Sequence, residues 1–421
     1  MINGERSELR PVEVVGVRGS LLPPALTPLE PEGPPAKGRG LLFGFIGACL
    51  VGALLIVGFR GARPESPAAA PSSEPAVNLV TRALAEQSKA LLAGDLGGFL
   101  GPVASHLRSE FVLRYASLRE LGVAAWTAKP DGAPQDLGGY HWKVKVAISY
   151  CLGAADCVPV QLLLPSTWLV VEGKALIAEF QQTVLPWEMT PLRAKAGQRV
   201  IVAAPLEFEG RIAPVLAAAE RAAEVADRFA RWNAPPKRYV VFIAGGHEWQ
   251  QWWNGESDEE VDGYSEGSYG VAIKADLADE QLPGLLAHEF THVVSLGDDY
   301  GDANTWWLTE GLAEYAAERG GWPRGRVPAV REYVKDGWDG SLTLGAMPKD
   351  VPAEEWQARY GIALLAVQCL AKRFGEDRML DFFAAVVRGR STPEAASPKA
   401  FGTDWAAVAA GCVTQVRNAR G

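Results

Sequence analysis

Leu285-Leu-Ala-His288-Glu289-Phe-Thr-His292-Val-Val-Ser-Leu296, followed after a short polar loop by Trp307-Leu-Thr-Glu310-Gly-Leu-Ala-Glu314-Tyr315, sets the architecture of this 421-residue chain. The first stretch holds an H-E-x-x-H pattern. Residues four apart on an α-helix lie one turn above each other, so His288 and His292 project from one face and can share a metal ion. Glu289 leaves the same turn where a base acting on metal-activated water is needed. Catalytic zinc takes three protein ligands and keeps a fourth position open. Glu310 is the natural third donor.

The surroundings of the motif agree. Pro283 suits the first turn of a helix, and Leu285, Leu286, Phe290, Val293, Val294 and Leu296 give that helix enough apolar surface to be buried. A second apolar, Ala-rich segment from Trp306 to Gly320 carries Glu310 and Glu314 one turn apart. Only five histidines occur in the chain. A solvated helix with two unrelated histidines does not explain why they sit in an apolar helix, where unpaired His and Glu are costly. Gly246-His247-Glu248-Trp-Gln-Gln251 looks similar, but Gln251 stands where the second imidazole is required, so no metal is expected there.

H-E-F-T-H followed by W-L-T-E-G-L-A-E-Y resembles the gluzincin metallopeptidases, in particular the bacterial peptidase-MA-like group, over roughly Ile201–Val387. The resemblance implies zinc bound by His288, His292 and Glu310, with Glu289 as general base for hydrolysis of a peptide or protein substrate. It also implies a role for Glu314 in fixing a liganding histidine, with Glu318 one turn further on competing for that task. Tyr360-Gly-Ile-Ala resembles the aminopeptidase-branch segment whose tyrosine steadies the oxyanion; the alternative is a tyrosine at a helix start. In the family the strand before the motif helix, here Gly267–Asp276, borders the cleft, and such an edge can hold an extended peptide; the alternative is an ordinary edge strand.

Upstream the composition changes several times. Residues 1–40 are rich in Pro and Gly and read as a disordered tail. Leu41–Phe59 has nineteen residues without a charge, enough for a helix to cross the ~30 Å core of a bilayer, and reads as a single transmembrane helix; a cleaved signal peptide is the rival. Residues 60–76 form a Pro/Ala/Ser linker. Residues 77–198 read as helices, then strands at Tyr140–Tyr150, Val158–Leu164, Thr167–Val171 and Leu176–Phe180. That order resembles the cone-shaped nuclear-transport-factor-like superfamily and suits a spacer or interaction domain. Residues 199–421 are the zinc metallopeptidase domain, with a mixed sheet and a mainly helical C-terminal part.

The fold class is therefore α+β: one transmembrane helix, a small cone-shaped α+β domain and a gluzincin-like domain. A net charge of −9 without a basic stripe argues against a nucleic-acid partner. Lys37 and Arg39 before the span nearly balance Arg60 and Arg63 after it. A bridge between Cys151 and Cys157 across a hairpin favours an oxidising compartment, which places the C-terminal portion extracytoplasmic on a single-pass membrane protein. Whether Cys369 pairs with Cys412 depends on whether their helices meet. The expected activity is a membrane-anchored zinc-dependent peptidase in which Glu289 deprotonates metal-activated water. The rival from another class is a non-catalytic cell-surface binding protein built on a peptidase fold, and a third reading is the same site acting on a different bond.

Overall fold

The computed structural model describes residues 75–232, 234–252, 261–296, 303–348 and 351–419. The expected tail and membrane span, and nearly all of the linker, lie outside these residues. Two five-stranded sheets organise the rest.

The first sheet is antiparallel. It comprises β1 (Val123–Pro130), β2 (Gln135–Gly138), β3 (His141–Leu152), β4 (Val160–Val171) and β5 (Lys174–Phe180), in the order β1-β3-β4-β5 with β2 on β3. Helices Ala76–Ala93 and Arg108–Glu120 bury Leu84, Leu91, Phe111 and Leu118 in a core shared with Val146, Ile148 and Ile177 of the sheet. The two strands expected at Val158–Leu164 and Thr167–Val171 are one continuous strand through Pro165. The β4–β5 register ends at Ser166 paired with Phe180, and Pro165 sits just past it, where its carbonyl still accepts from Gln181 N at 3.1 Å and only its missing N–H goes unused.

The second sheet runs β6 (Leu192–Ala196), β7 (Val200–Pro205), β8 (Tyr239–Ala244), β10 (Val271–Lys274) and β9 (Gly263–Ser265), with β7, β8 and β10 parallel. Side chains alternate between faces along a strand. Val202, Val241, Ile243, Val271 and Ile273 face a helical core that includes the motif helix. Ile201, Ala203, Phe242, Ala244 and Ala272 face the core of the first sheet and its helices. Both faces are thus covered, which is why β7, β8 and β10 read as unbroken apolar runs. The strand expected to border a cleft is also placed differently: β10 is paired on both sides, and the edge is the three-residue β9.

The expected fold class is corrected on the membrane. Among the described residues no helix is long and apolar enough to cross a bilayer. The two longest described helices, Ala353–Phe374 and Ala76–Ala93, carry charges such as Arg359 and Lys372 or Arg82 and Glu86. The described architecture is mixed α+β without a transmembrane element. Its C-terminal part is helical, and disulfides join Cys151 to Cys157 and Cys369 to Cys412.

Candidate metal centre

The motif helix, Leu282–Leu296, is buried along nearly its whole length. Leu285, Leu286, Phe290 and Val294 face the second sheet's helical core, and Phe290 stacks on Tyr239 of β8 with ring centroids 4.2 Å apart. At its C-terminal end the helix leaves carbonyls without intrahelical partners. Arg388 donates to two of them, Ser295 O at 2.9 Å and Leu296 O at 3.4 Å. The Glu-bearing helix Trp306–Arg319 lies against the motif helix on one side and Ala353–Phe374 on the other.

This sandwich brings three donor atoms together. His288 Nε2 lies 3.1 Å from His292 Nε2 and 3.1 Å from Glu310 Oε2, and His292 Nε2 lies 3.4 Å from the same oxygen. Zinc with bonds of about 2.0–2.1 Å in tetrahedral geometry needs ligand atoms roughly 3.3 Å apart. The observed triangle fits that requirement, and two imidazoles with one carboxylate form a standard zinc donor set. Nδ1 of both histidines is buried without a hydrogen-bond partner among the described residues, which leaves each Nε2 as the ring nitrogen turned to the triangle.

Around the triangle the buried charges are matched. Glu314 is 1 % exposed; its Oε1 lies 3.4 Å from His288 Nδ1 and accepts from Arg324 Nη1 and Arg326 Nε, each at 3.3 Å. Glu318 is engaged instead by Gln368 of helix Ala353–Phe374. Burial alone would raise the Glu314 carboxyl, but His288 and Arg324 outweigh it and bring its pKa down to about 2. At Glu310 burial is likewise outweighed by the two imidazoles, which hold the carboxyl well below its usual range. Burial works against protonation of His288, yet its hydrogen bond to Glu310 and its close contact with the Glu314 carboxylate prevail and raise its pKa to about 9. Glu289 is 4 % exposed, stands outside the donor triangle, and is pushed up, chiefly by burial.

Tyr360 lies in the same region. Its ring centroid is 6.2 Å from that of His288, 5.0 Å from Trp306 and 4.3 Å from Trp356. Desolvation, followed by the charge of Glu310, keeps its phenol protonated far above the ordinary range. Arg324 and Arg326 are the site residues that sequence reading missed. They sit between helices, where no periodicity marks them, and only the buried charge of Glu314 signalled that cations were needed nearby.

No protein-family model matches the chain, and no curated protein does. Among solved structures the chain is similar to a mutant of a two-domain M1 zinc metallopeptidase crystallised with L-arginine, at 14% identity and a TM-score of 0.34. The alignment covers 71% of this chain and 62% of the other, so the chain spans less than two thirds of that neighbour's length.

Proposed function

We propose that this chain is a zinc-dependent peptidase that hydrolyses peptide bonds with Glu289 as general base. The observation that carries the reading is the triangle of His288 Nε2, His292 Nε2 and Glu310 Oε2, with sides of 3.1, 3.1 and 3.4 Å, beside a buried carboxyl that is not part of it. His288, His292 and Glu310 would hold the zinc, which would supply a Lewis acid for the scissile carbonyl and the attacking water.

The protein's own groups handle the protons. Burial raises Glu289 toward the range where a carboxyl can both accept a proton and return it. It takes one from the attacking water on a carboxylate oxygen and delivers it to the leaving amine nitrogen, so the products are a free carboxylate and an amine. Tyr360 keeps its proton and serves as a hydrogen-bond donor where negative charge develops on the carbonyl oxygen. Glu314 Oε1 lies 3.4 Å from His288 Nδ1, where a carboxylate favours the tautomer that leaves Nε2 free to bind metal. The two disulfides support an extracytoplasmic, oxidising setting.

A binding module built on the same fold would keep the donor triangle but have no use for a buried, unligated Glu289. The deciding experiment is Glu289→Gln assayed on a peptide library. Zinc should be retained while hydrolysis falls ~10²–10⁴-fold, the range for a lost general base. Wild-type hydrolysis in that variant would overturn the mechanism. A zinc-loaded wild type that cleaves nothing would favour the binding protein.

A further inference from the structure

Arg326 occupies an unusual place for an arginine. It is 4 % exposed, its Nε donates to Glu314 Oε1 at 3.3 Å, and its Nη1 donates to Gln357. The carbon of its guanidinium also lies 5.1 Å from the Trp356 ring centroid and 5.0 Å from that of Tyr360. One side chain therefore touches the carboxylate that faces His288 and the aromatic face that faces the same histidine. Arg324, which also reaches Glu314 Oε1, is more exposed, with 17 % of its side chain accessible.

The backbone holds this arrangement in place. A Cβ on Gly361, the residue after Tyr360, would lie 3.0 Å from Arg326 O and run into Val330, so the long helix is seated directly on the segment that carries Arg326. A guanidinium is planar, always charged, and able to donate in its plane while stacking on aromatic faces. An ammonium cannot do both.

We propose that Arg326 is a positioning residue of the metal centre, which holds Glu314 against His288 Nδ1 and at the same time seats the Tyr360 ring over the site. The proposal rests on the zinc reading, and it assigns to Arg326 no contact with substrate. Through Glu314 it governs how tightly the histidine is oriented for metal, and through Tyr360 it governs the hydrogen-bond donor at the reacting carbonyl.

The test measures zinc affinity by competition with a chromogenic chelator, together with circular dichroism and peptide hydrolysis, on the full chain. Arg326→Met should weaken zinc binding roughly ten- to a hundred-fold, the range for a lost partner of a metal-ligating histidine, and lower kcat more than it raises KM. Arg326→Lys keeps the charge but not the stacking fork, and should lose about three- to ten-fold in affinity. Arg324→Met removes a donor from the same carboxylate oxygen but no contact with the Tyr360 ring, so it should weaken zinc binding while lowering kcat less than Arg326→Met does. In a Glu314→Gln background, Arg326→Met should cause no further loss of zinc, because the path through the carboxylate is already cut. Wild-type affinity in either folded Arg326 variant overturns the proposal. If Arg326→Met fails to fold, Arg326→Lys decides alone. Absence of zinc binding by the wild type would instead sink the metal reading, and the two failures are distinguished by that control.

Discussion

Gly311, the residue after Glu310, lies so close to the long helix Ala353–Phe374 that a Cβ placed on it would sit 2.5 Å from the carbonyl oxygen of Ala363. The two helices thus meet at the point where one of them presents a donor atom to the metal site. Gly311→Ala gains helix propensity of about 1 kcal/mol, but the new methyl meets backbone, which cannot swing aside. An overpacking cost near the upper end of roughly 1–3 kcal/mol, set against that gain, leaves a net loss of about 1–2 kcal/mol in chemical denaturation, with weaker zinc binding because Glu310 moves with the displaced helix. Unchanged stability would show that the contact can relax.

Metal content is the most direct check on the centre. Purified protein should hold close to one zinc per chain by elemental analysis, and replacing His288 or His292 by alanine should abolish tight binding. Removing zinc with a chelator should lower the melting temperature, since a ligand present at about 1,000 times its Kd stabilises by about 4 kcal/mol. Well-folded wild-type protein without metal would eliminate the site.

Metal binding should also depend on pH in a defined direction. In the metal-free chain His288 is protonated up to about pH 9, above its ordinary value of 6.5, because Glu310 and Glu314 outweigh burial. Zinc must displace that proton. Apparent affinity therefore rises as pH rises toward 9, and below that pH calorimetry in buffers of differing ionisation enthalpy should record about one proton released per zinc. Affinity that is flat over this window would contradict the assignment of His288.

Tyr360→Phe removes one hydroxyl and keeps the ring packed against Trp356 and Trp306. If the phenol donates to the developing oxyanion, kcat should fall roughly 10²-fold or more, with zinc content and melting temperature near wild type. A change confined to KM would reduce Tyr360 to a wall of the site.

The disulfides should differ in what they contribute. Cys369–Cys412 closes a sequence separation of 43 residues, whereas Cys151–Cys157 closes 6. On loop-closure entropy the first is worth about 4 kcal/mol and the second about 2 kcal/mol. Denaturation of the Cys369→Ser/Cys412→Ser and Cys151→Ser/Cys157→Ser pairs measures both, and a reversed order would show that native packing, not the unfolded chain, sets their effect.

What could be read from the sequence is what covalent geometry settles locally. His288 and His292 are four apart in an apolar run, as are Glu310 and Glu314, and a helix places each pair without help from the rest of the chain. Arg326 could not be found that way, because its partners Glu314, Gln357 and Tyr360 come from two different helices. The three-residue β9 is too short to carry a pattern, so the edge of the sheet was assigned to β10. Pro165 made one long strand look like two, since the point at which β5 stops pairing is a tertiary fact.

Two-sided burial of the second sheet has a mechanical consequence. Ile201, Ala203, Phe242 and Ala272 are covered by residues from the first half of the chain, among them Trp187, which is itself fully buried. Cutting the chain just before β7 would strip that cover from strands whose opposite face supports the motif helix, and exposed apolar strands of this kind invite aggregation. The two halves are therefore expected to unfold as a single cooperative unit. Amides of β7 and β8 should be among the slowest to exchange with solvent, opening only when both sheets come apart together.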